Sequence, residues 1–399
     1  MKPSRSFIYA SIGLLFTFFL SMPAQSQLLK KLKDKANAVV DKTVGTSSPA
    51  AKETSAEVKT IKDTVLPKVA IEAYQNYDFV PGDKIVFEDN FGEDEEGEFP
   101  IHWNLISGQA TLNKIVERKA LLLSTGWTRV SPAIKIPTYL TDTFTIEFDN
   151  YCQSGYGPEL FFFNSDDDSK GNDMEIAKIM FCEGNNWTGI FAKAKTQLNG
   201  FSAQYPVAIQ GNNYYNKWHH IAITYKNKRL KVYVDQFRVL SMPDFGVSPK
   251  SIAFKADGIP NGPIIIANLR IANGGGMKMQ EKKFMDTKIV THGINFDVDK
   301  ATIKPESMGT LNMIVEVLKN NPDIKFDIQG HTDNTGNAAH NLTLSQQRAD
   351  AVKDALVGLG VDVARLTTKG MGDTSPIADN ATPEGKANNR RVEFVTIKN

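Results

Sequence analysis

The spacing of apolar residues changes along the chain and divides it into stretches with different periods. Phe7 to Leu20 is almost wholly apolar. Further on, Leu28, Leu29, Leu32, Ala36, Val39, Val40 and Val44 recur at roughly helical spacing among Lys30, Lys31, Lys33 and Lys35. That pattern suits a basic amphipathic helix on an anionic membrane surface, or equally a plain tether. The Ser-, Thr-, Ala- and Lys-rich residues 45–64 read as linker.

From about Tyr77 to Asn273 the period falls to two. Residues 84–87, 120–123, 144–148 and 159–163 are short apolar or alternating runs, and 263–271 supplies a late strand. In the clearest pair, Ile221, Ile223 and Tyr225 alternate on one arm and Leu230, Val232 and Val234 on the other, with the polar tetrad 226–229 as the turn. Many strands broken by turn residues, with almost no convincing helix, predict a β-sandwich.

Beyond the glycines at 274–276, strand and helix signals alternate. Strands are expected at 288–296, 324–329, 366–371 and 391–397. One helix is expected over 305–318, with Leu311, Ile314, Val315 and Leu318 on its apolar face. A longer one carries Leu344, Ala351, Val352, Leu356 and Leu359 and stops at Gly360. The chain thus reads as multidomain: signal peptide 1–26, basic amphipathic helix and linker 27–79, β-sandwich 80–273, Gly-rich linker 274–283 and a small α+β domain 284–399.

Charge and cysteines narrow the partners more than the fold. Lys and Arg number 46 against 45 Asp and Glu, a formal +1. No global field draws in nucleic acid, and no basic stripe with interleaved aromatics appears. Lys2, Arg5, the apolar run and Ala24-Gln25-Ser26 form an export signal with a mature start near Gln27. The run falls short of the roughly 20 residues a spanning helix needs, and no Cys follows it to carry a lipid. Export places Cys152 and Cys182 where they either pair or persist as two buried thiols.

The chemistry is concentrated in residues 330–350, GHTDNTGNAAHNLTLSQQRAD. Asp333 falls in a short polar turn ordered by Thr332, Asn334 and Gly336. Arg348 follows fifteen residues later and is expected near the first turn of a helix capped by Asn341, Thr343 or Ser345. There a guanidinium and free backbone N–H groups would build a carboxylate seat together, with Asp333 accepting an ammonium or amide. The pair is then a receptor for a zwitterion, or more plainly a surface ion pair. Neither a nucleophile with its base nor a zinc-type spacing around His331 and His340 accompanies it, so catalysis and metal are not expected here.

The segments FDVDKATIKPES (296–307), GHTDNTG, Asn341 with Leu344-Ser345, Arg348-Ala349, Lys369-Gly-Met-Gly372, Pro376 and Asn389-Arg-Arg-Val-Glu393 occur in order. With them the C-terminal region strongly resembles the OmpA-like peptidoglycan-binding family. The resemblance implies that Asp333 and Arg348 grip the diaminopimelate of the peptide stem, the arginine holding a carboxylate. It places Asn341 in the same pocket, with Thr332, Leu344 and Arg391 as wall or support; Arg390 and Arg391 read equally as structural groups at the sheet edge. The membrane strands of the best-known family architecture are missing upstream. Instead the Trp218-led hairpin and FEDNF (87–91) are similar to a concanavalin- or laminin-G-like jelly roll, a class that often binds glycans.

The expectation is a non-enzymatic protein of the periplasm, associated with cell wall or outer membrane. Peptidoglycan is the partner of the C-terminal region, and a glycan or envelope protein that of the sandwich. The rival is a wall-tethered glycan-processing enzyme with Glu159 and Asp173 or Glu175 as its carboxylate pair. Glu93 to Glu96 and Asp166 to Asp168 are either calcium ligands in the sandwich or solvated loops; no other cofactor is expected. Trp103, Trp127 and Trp187 would stack on sugar or, like Trp218, pack in the core.

Overall fold

The computed structural model describes residues 77–397 except 125, 154–156, 167–173, 182–188, 257–262 and 276–287. The signal peptide, the basic helix, most of both linkers, Cys182, Asp173 and Trp187 therefore lie outside the described residues. So does any pairing of Cys152, which is buried.

Alternation in the 218–235 hairpin is what the structure builds on. Trp218–Lys226 and Arg229–Val234 pair antiparallel, and Ile221, Ile223, Tyr225, Leu230, Val232 and Val234 are all buried. Asn227 and Lys228 make the two-residue turn with φ of 48° and 68°, the left-handed conformation that matches the twist of the flanking strands. These strands belong to an eight-stranded antiparallel sheet. Its order runs Phe237–Met242, Arg229–Val234, Trp218–Lys226, Thr143–Tyr151, Ile264–Asn273, Arg118–Leu123, Ala110–Ile115, and Lys84–Asp89 also pairs with Ile264–Asn273.

A seven-stranded antiparallel sheet faces it, in the order Phe201–Gln204, Gly189–Ala194, Ala177–Phe181, Glu159–Phe163, Ser251–Lys255, Arg129–Pro132, Trp103–Ser107. Phe148 of the first sheet meets Phe181 and Phe254 of the second edge-to-face, with ring centroids 5.5 and 5.0 Å apart. The core lies between the sheets.

The outer face of the eight-stranded sheet is not solvated throughout. Tyr77 and Phe79, expected as linker, pack there on Ala222 and Tyr233. Asp78 accepts hydrogen bonds from Lys231 (2.6 Å) and Tyr233 (2.8 Å), and Gly82 N donates to Thr145 Oγ1. The segment from Tyr77 is thus a strap across the sheet.

The C-terminal region has a four-stranded sheet ordered Lys288–Thr291, Val392–Ile397, Lys325–His331, Leu366–Gly372, the last two parallel. Three α-helices accompany it among the described residues: α1 (Met308–Asn320), α2 (Ala338–Gly358) and α3 (Pro383–Asn389). Leu311, Ile314 and Leu318 of α1 and Val352 and Leu356 of α2 join Phe326, Ile328 and Phe394 in a second core.

Three expectations change. The first strand of this sheet ends at Thr291, and Phe296 pairs only through an isolated bridge to Ile303. Residues 305–307 form a 3-10 turn ahead of α1. Helix α2 begins earlier than expected, because Asn337 is its cap, accepting from Ala339 N and His340 N. Thr343 and Ser345 instead bond back to carbonyls inside the helix. No helix among the described residues is long and apolar enough to cross a membrane.

Candidate functional site

The strand Lys325–His331 delivers the chain to the Asp333 turn. Asp333 Oδ1 accepts from Thr335 N at 2.8 Å, and Gly336 with φ +87° reverses the chain into the Asn337 cap. Asn341, buried in the first turn of α2, donates its amide to the carbonyls of Asp333 (3.3 Å) and Thr335 (3.1 Å). Its side chain ties the loop to the helix. Thr332 and Leu344 are buried beside it. The helix lies so close to the sheet that a Cβ on Gly330 would collide with the Ser345 carbonyl oxygen.

Arg348 stands ten residues past the start of α2, not in its first turn. The backbone N–H groups around it are spent within the helix, so the helix end contributes nothing to the site. What holds Arg348 is a hydrogen bond from Nε to the Lys300 carbonyl (3.0 Å) and the face of Phe296, 4.9 Å below the guanidinium. Among the described residues no carboxylate lies within ion-pair distance of it. Burial first, with Arg390 adding to it, pulls its pKa down against the opposing charges of Asp299 and Asp333.

Asp333 has the partner Arg348 lacks. Its Oδ2 accepts from Arg390 Nη1 at 2.6 Å. Burial works to raise the Asp333 pKa, and the bonds from Arg390 and Thr335 bring it below the ordinary carboxylate value. Arg390 extends its other arm to Glu88, on the edge strand Lys84–Asp89 of the eight-stranded sheet. Glu88 also accepts from Arg270 Nε (2.8 Å), and Arg270 Nη1 bonds Asn295 Oδ1 (2.9 Å) and the His292 carbonyl (3.3 Å). Against its own burial, Arg270 and Arg390 hold the Glu88 pKa down to about 2. Arg391 is a buried support, bonded to Glu393 (2.7 Å) and to the carbonyls of Asn389 and Ser375.

A cavity of about 130 Å³ lies among these groups, lined by Arg270, Arg348, Arg390, Arg391, His292 and His331 together with neighbouring backbone and apolar residues. Both ring nitrogens of His331 and Nδ1 of His292 are buried without hydrogen-bond partners among the described residues. Burial, then Arg391, lower the His331 pKa to about 4, so the ring is neutral. Of the expected site residues, Arg348 and Arg391 line the cavity, and Asp333 reaches it through Arg390. Asn341, Thr332 and Leu344 support the turn behind it.

Sequence reading left Arg390 undecided and missed Glu88 and Arg270. The Asn389–Glu393 motif did hold a signal for Arg390. None existed for Glu88, which is separated from Arg390 by 302 positions.

Elsewhere, Glu159 and Glu175 face Lys178 and Lys195 at 3.9 and 3.8 Å. Among the described residues no cluster of three or more His, Cys, Asp or Glu is arranged to hold a metal. Trp103 is buried with Nε1 on Asp89, while Trp127 is exposed with Lys255 Nζ 4.5 Å above its ring. These tryptophans share no common surface.

Residues 295–390 match the OmpA family. The chain is 48% identical over 103 residues to the probable lipoprotein YiaD of Escherichia coli, covering 26% of this chain and 47% of that protein. It is 49% identical over 107 residues to the peptidoglycan-binding protein ArfA of Mycobacterium tuberculosis, covering 27% and 33%. Among solved structures, the peptidoglycan-associated lipoprotein from Burkholderia pseudomallei is 34% identical, covering 26% of this chain and 88% of that one with a TM-score of 0.25. The chain thus spans less than half the length of these two curated relatives.

Proposed function

We propose that the protein, whose residues 295–390 match the OmpA family and are similar to a peptidoglycan-binding protein, binds the peptide stem of peptidoglycan non-covalently. It thereby anchors its two-sheet region in the cell envelope. In this reading the protein acts on the periplasmic side of the envelope, and the OmpA-like domain serves as a binding module.

One observation carries the reading: Arg348 lines the cavity with no carboxylate within ion-pair distance among the described residues. A half-buried guanidinium without a counter-ion is a seat for a ligand carboxylate, and its planar fork takes one bidentately. Asp333 supplies the acceptor for an ammonium nearby. Together they suit the zwitterionic side-chain end of diaminopimelate. In this reading Asn341 fixes the loop, while Thr332, Leu344 and Arg391 shape and support the seat.

The two facing sheets suit a concanavalin-like module spanning residues 80–273, presented to a glycan or an envelope protein. A cleaved signal at 1–26 and association with the outer membrane complete the reading. The glycan-processing alternative is not favoured, because Glu159 and Glu175 each face a lysine.

Co-sedimentation of the full chain with purified peptidoglycan sacculi tests the assignment. Asp333→Asn and Arg348→Lys should each weaken retention about tenfold or more, the worth of one charge-assisted hydrogen bond. Unchanged retention by both variants, with circular dichroism showing them folded, would sink it.

A further inference from the structure

The acceptor that a ligand ammonium needs is already taken. Asp333 Oδ1 holds Thr335 N, and Oδ2 holds Arg390 at 2.6 Å. With Asp333 only 8% exposed, an ammonium approaching Oδ2 competes with Arg390 for that oxygen. Arg390 has somewhere to go, since its second nitrogen is already on Glu88 and its side chain is 42% exposed.

Glu88 cannot follow it. Arg270 clamps the Glu88 carboxylate from the opposite side and is itself fixed by Asn295 and His292. The strand that carries Glu88 is pinned to α3, because Asn388 accepts from Ile85 N (3.1 Å) and donates to Ile85 O (2.9 Å). Helix α3 leads directly into Arg390. The donor arginine and its alternative acceptor are thus held in register by one docked pair of elements.

We propose that Glu88, from outside the OmpA-like domain, is a positioning residue of the binding site: it receives Arg390 when a ligand ammonium displaces it from Asp333. This rests on the stem-binding reading and adds to it a source of specificity. A zwitterionic centre needs the exchange of Arg390 between two carboxylates. A plain carboxylate needs only Arg348. Without the Glu88 charge, Arg390 has Asp333 as its sole carboxylate among the described residues and competes harder with an ammonium. The same change makes the cavity more positive and more welcoming to a carboxylate without an amine.

Calorimetric titration of the full chain with meso-diaminopimelate and with pimelate, the same dicarboxylate lacking amines, separates these effects. Glu88→Gln should weaken diaminopimelate about fivefold, the upper range for a part-exposed ion pair, and leave pimelate unchanged or tighter. On an Arg390→Gln background the Glu88→Gln effect should vanish. Parallel losses for both ligands, no loss for diaminopimelate, or an undiminished loss on the Arg390→Gln background would overturn the proposal.

Glu88→Asp, which keeps the charge on a shorter arm, should retain the preference for diaminopimelate. It provides the comparison if Glu88→Gln does not fold, and loss of the preference in that variant counts against the proposal. The underlying reading fails separately: diaminopimelate binding unaffected by Asp333→Asn and Arg348→Lys would remove the site itself. Sensitivity to those two with indifference to Glu88→Gln removes only the exchange.

Discussion

His331 carries two unpartnered ring nitrogens into a cavity that already holds four guanidinium groups. Burial first, then Arg391 and Lys288, disfavour its protonation and outweigh the pull of Glu393, so its pKa falls to about 4. Against an unfolded value of about 6.5, the unfolded chain binds more protons between those two pH values. Stability therefore falls as pH drops across that window, and His292, also lowered by burial, acts in the same direction.

His220 acts on the other side. Burial opposes its charge, but the hydrogen bond to Asp149 (2.9 Å) and the carboxylate of Glu147, 3.4 Å from Nε2, raise its pKa well above the ordinary value. Its stabilisation is complete below about pH 6.5 and is lost as pH rises above it. The thermal midpoint should thus peak near neutral pH. His331→Gln should flatten the acid limb between pH 4 and 6.5 and spare the alkaline one; an unaltered acid limb in a pH series of melting curves would count against the assignment. At this scale the sequence showed Asp333 and Arg348, since both stand in a compact motif. It could not show that Asp333 is already paired, because its partner Arg390 lies 57 positions further along the chain and only the fold brings the two together.

For whole elements, legibility followed local pattern. The 218–235 hairpin alternates cleanly and forms as read. Ser251–Lys255 is buried at every position, so it has no alternation to detect, and α3 is polar with a glycine inside and only Ala387 packed on Ile85 and Ala272. Helix α2 was started too late because Asn337 precedes Ala-Ala-His-Asn, a first turn with no apolar stripe. That error moved Arg348 to a helix end. Its actual mid-helix position makes the seat depend on how tightly α2 lies against the strand Lys325–His331, and Gly330 sets that distance.

Gly330→Ala should force α2 outward at Ser345 and cost about 1–3 kcal/mol in urea unfolding, as overpacking does. Gly336→Ala meets no neighbouring atoms and strains only its own backbone at φ +87°, which should cost about 1 kcal/mol. Of the two, Gly330→Ala should also displace Arg348 and weaken binding to sacculi more. The reverse order of binding losses would mean that the turn, not the helix spacing, sets the seat.

Across the whole molecule, the two cores are joined by several independent contacts. A Cβ on Gly309 of α1 would strike the Phe79 backbone of the strap, and one on Gly293 would meet Pro81. Asn388 satisfies both backbone polar groups of Ile85, while Arg390 and Arg270 share Glu88. Breaking this seam exposes buried polar groups on both sides, so neither core can open along it without loss to the other. The intact chain should melt in one calorimetric transition. Asn388→Ala removes both bonds to Ile85 and should lower stability by about 2–4 kcal/mol, splitting the melt into two. It should also loosen the α3 arm that aims Arg390, weakening diaminopimelate more than pimelate. One undivided transition with unchanged ligand preference would show that the seam carries neither the folding coupling nor the aim of Arg390.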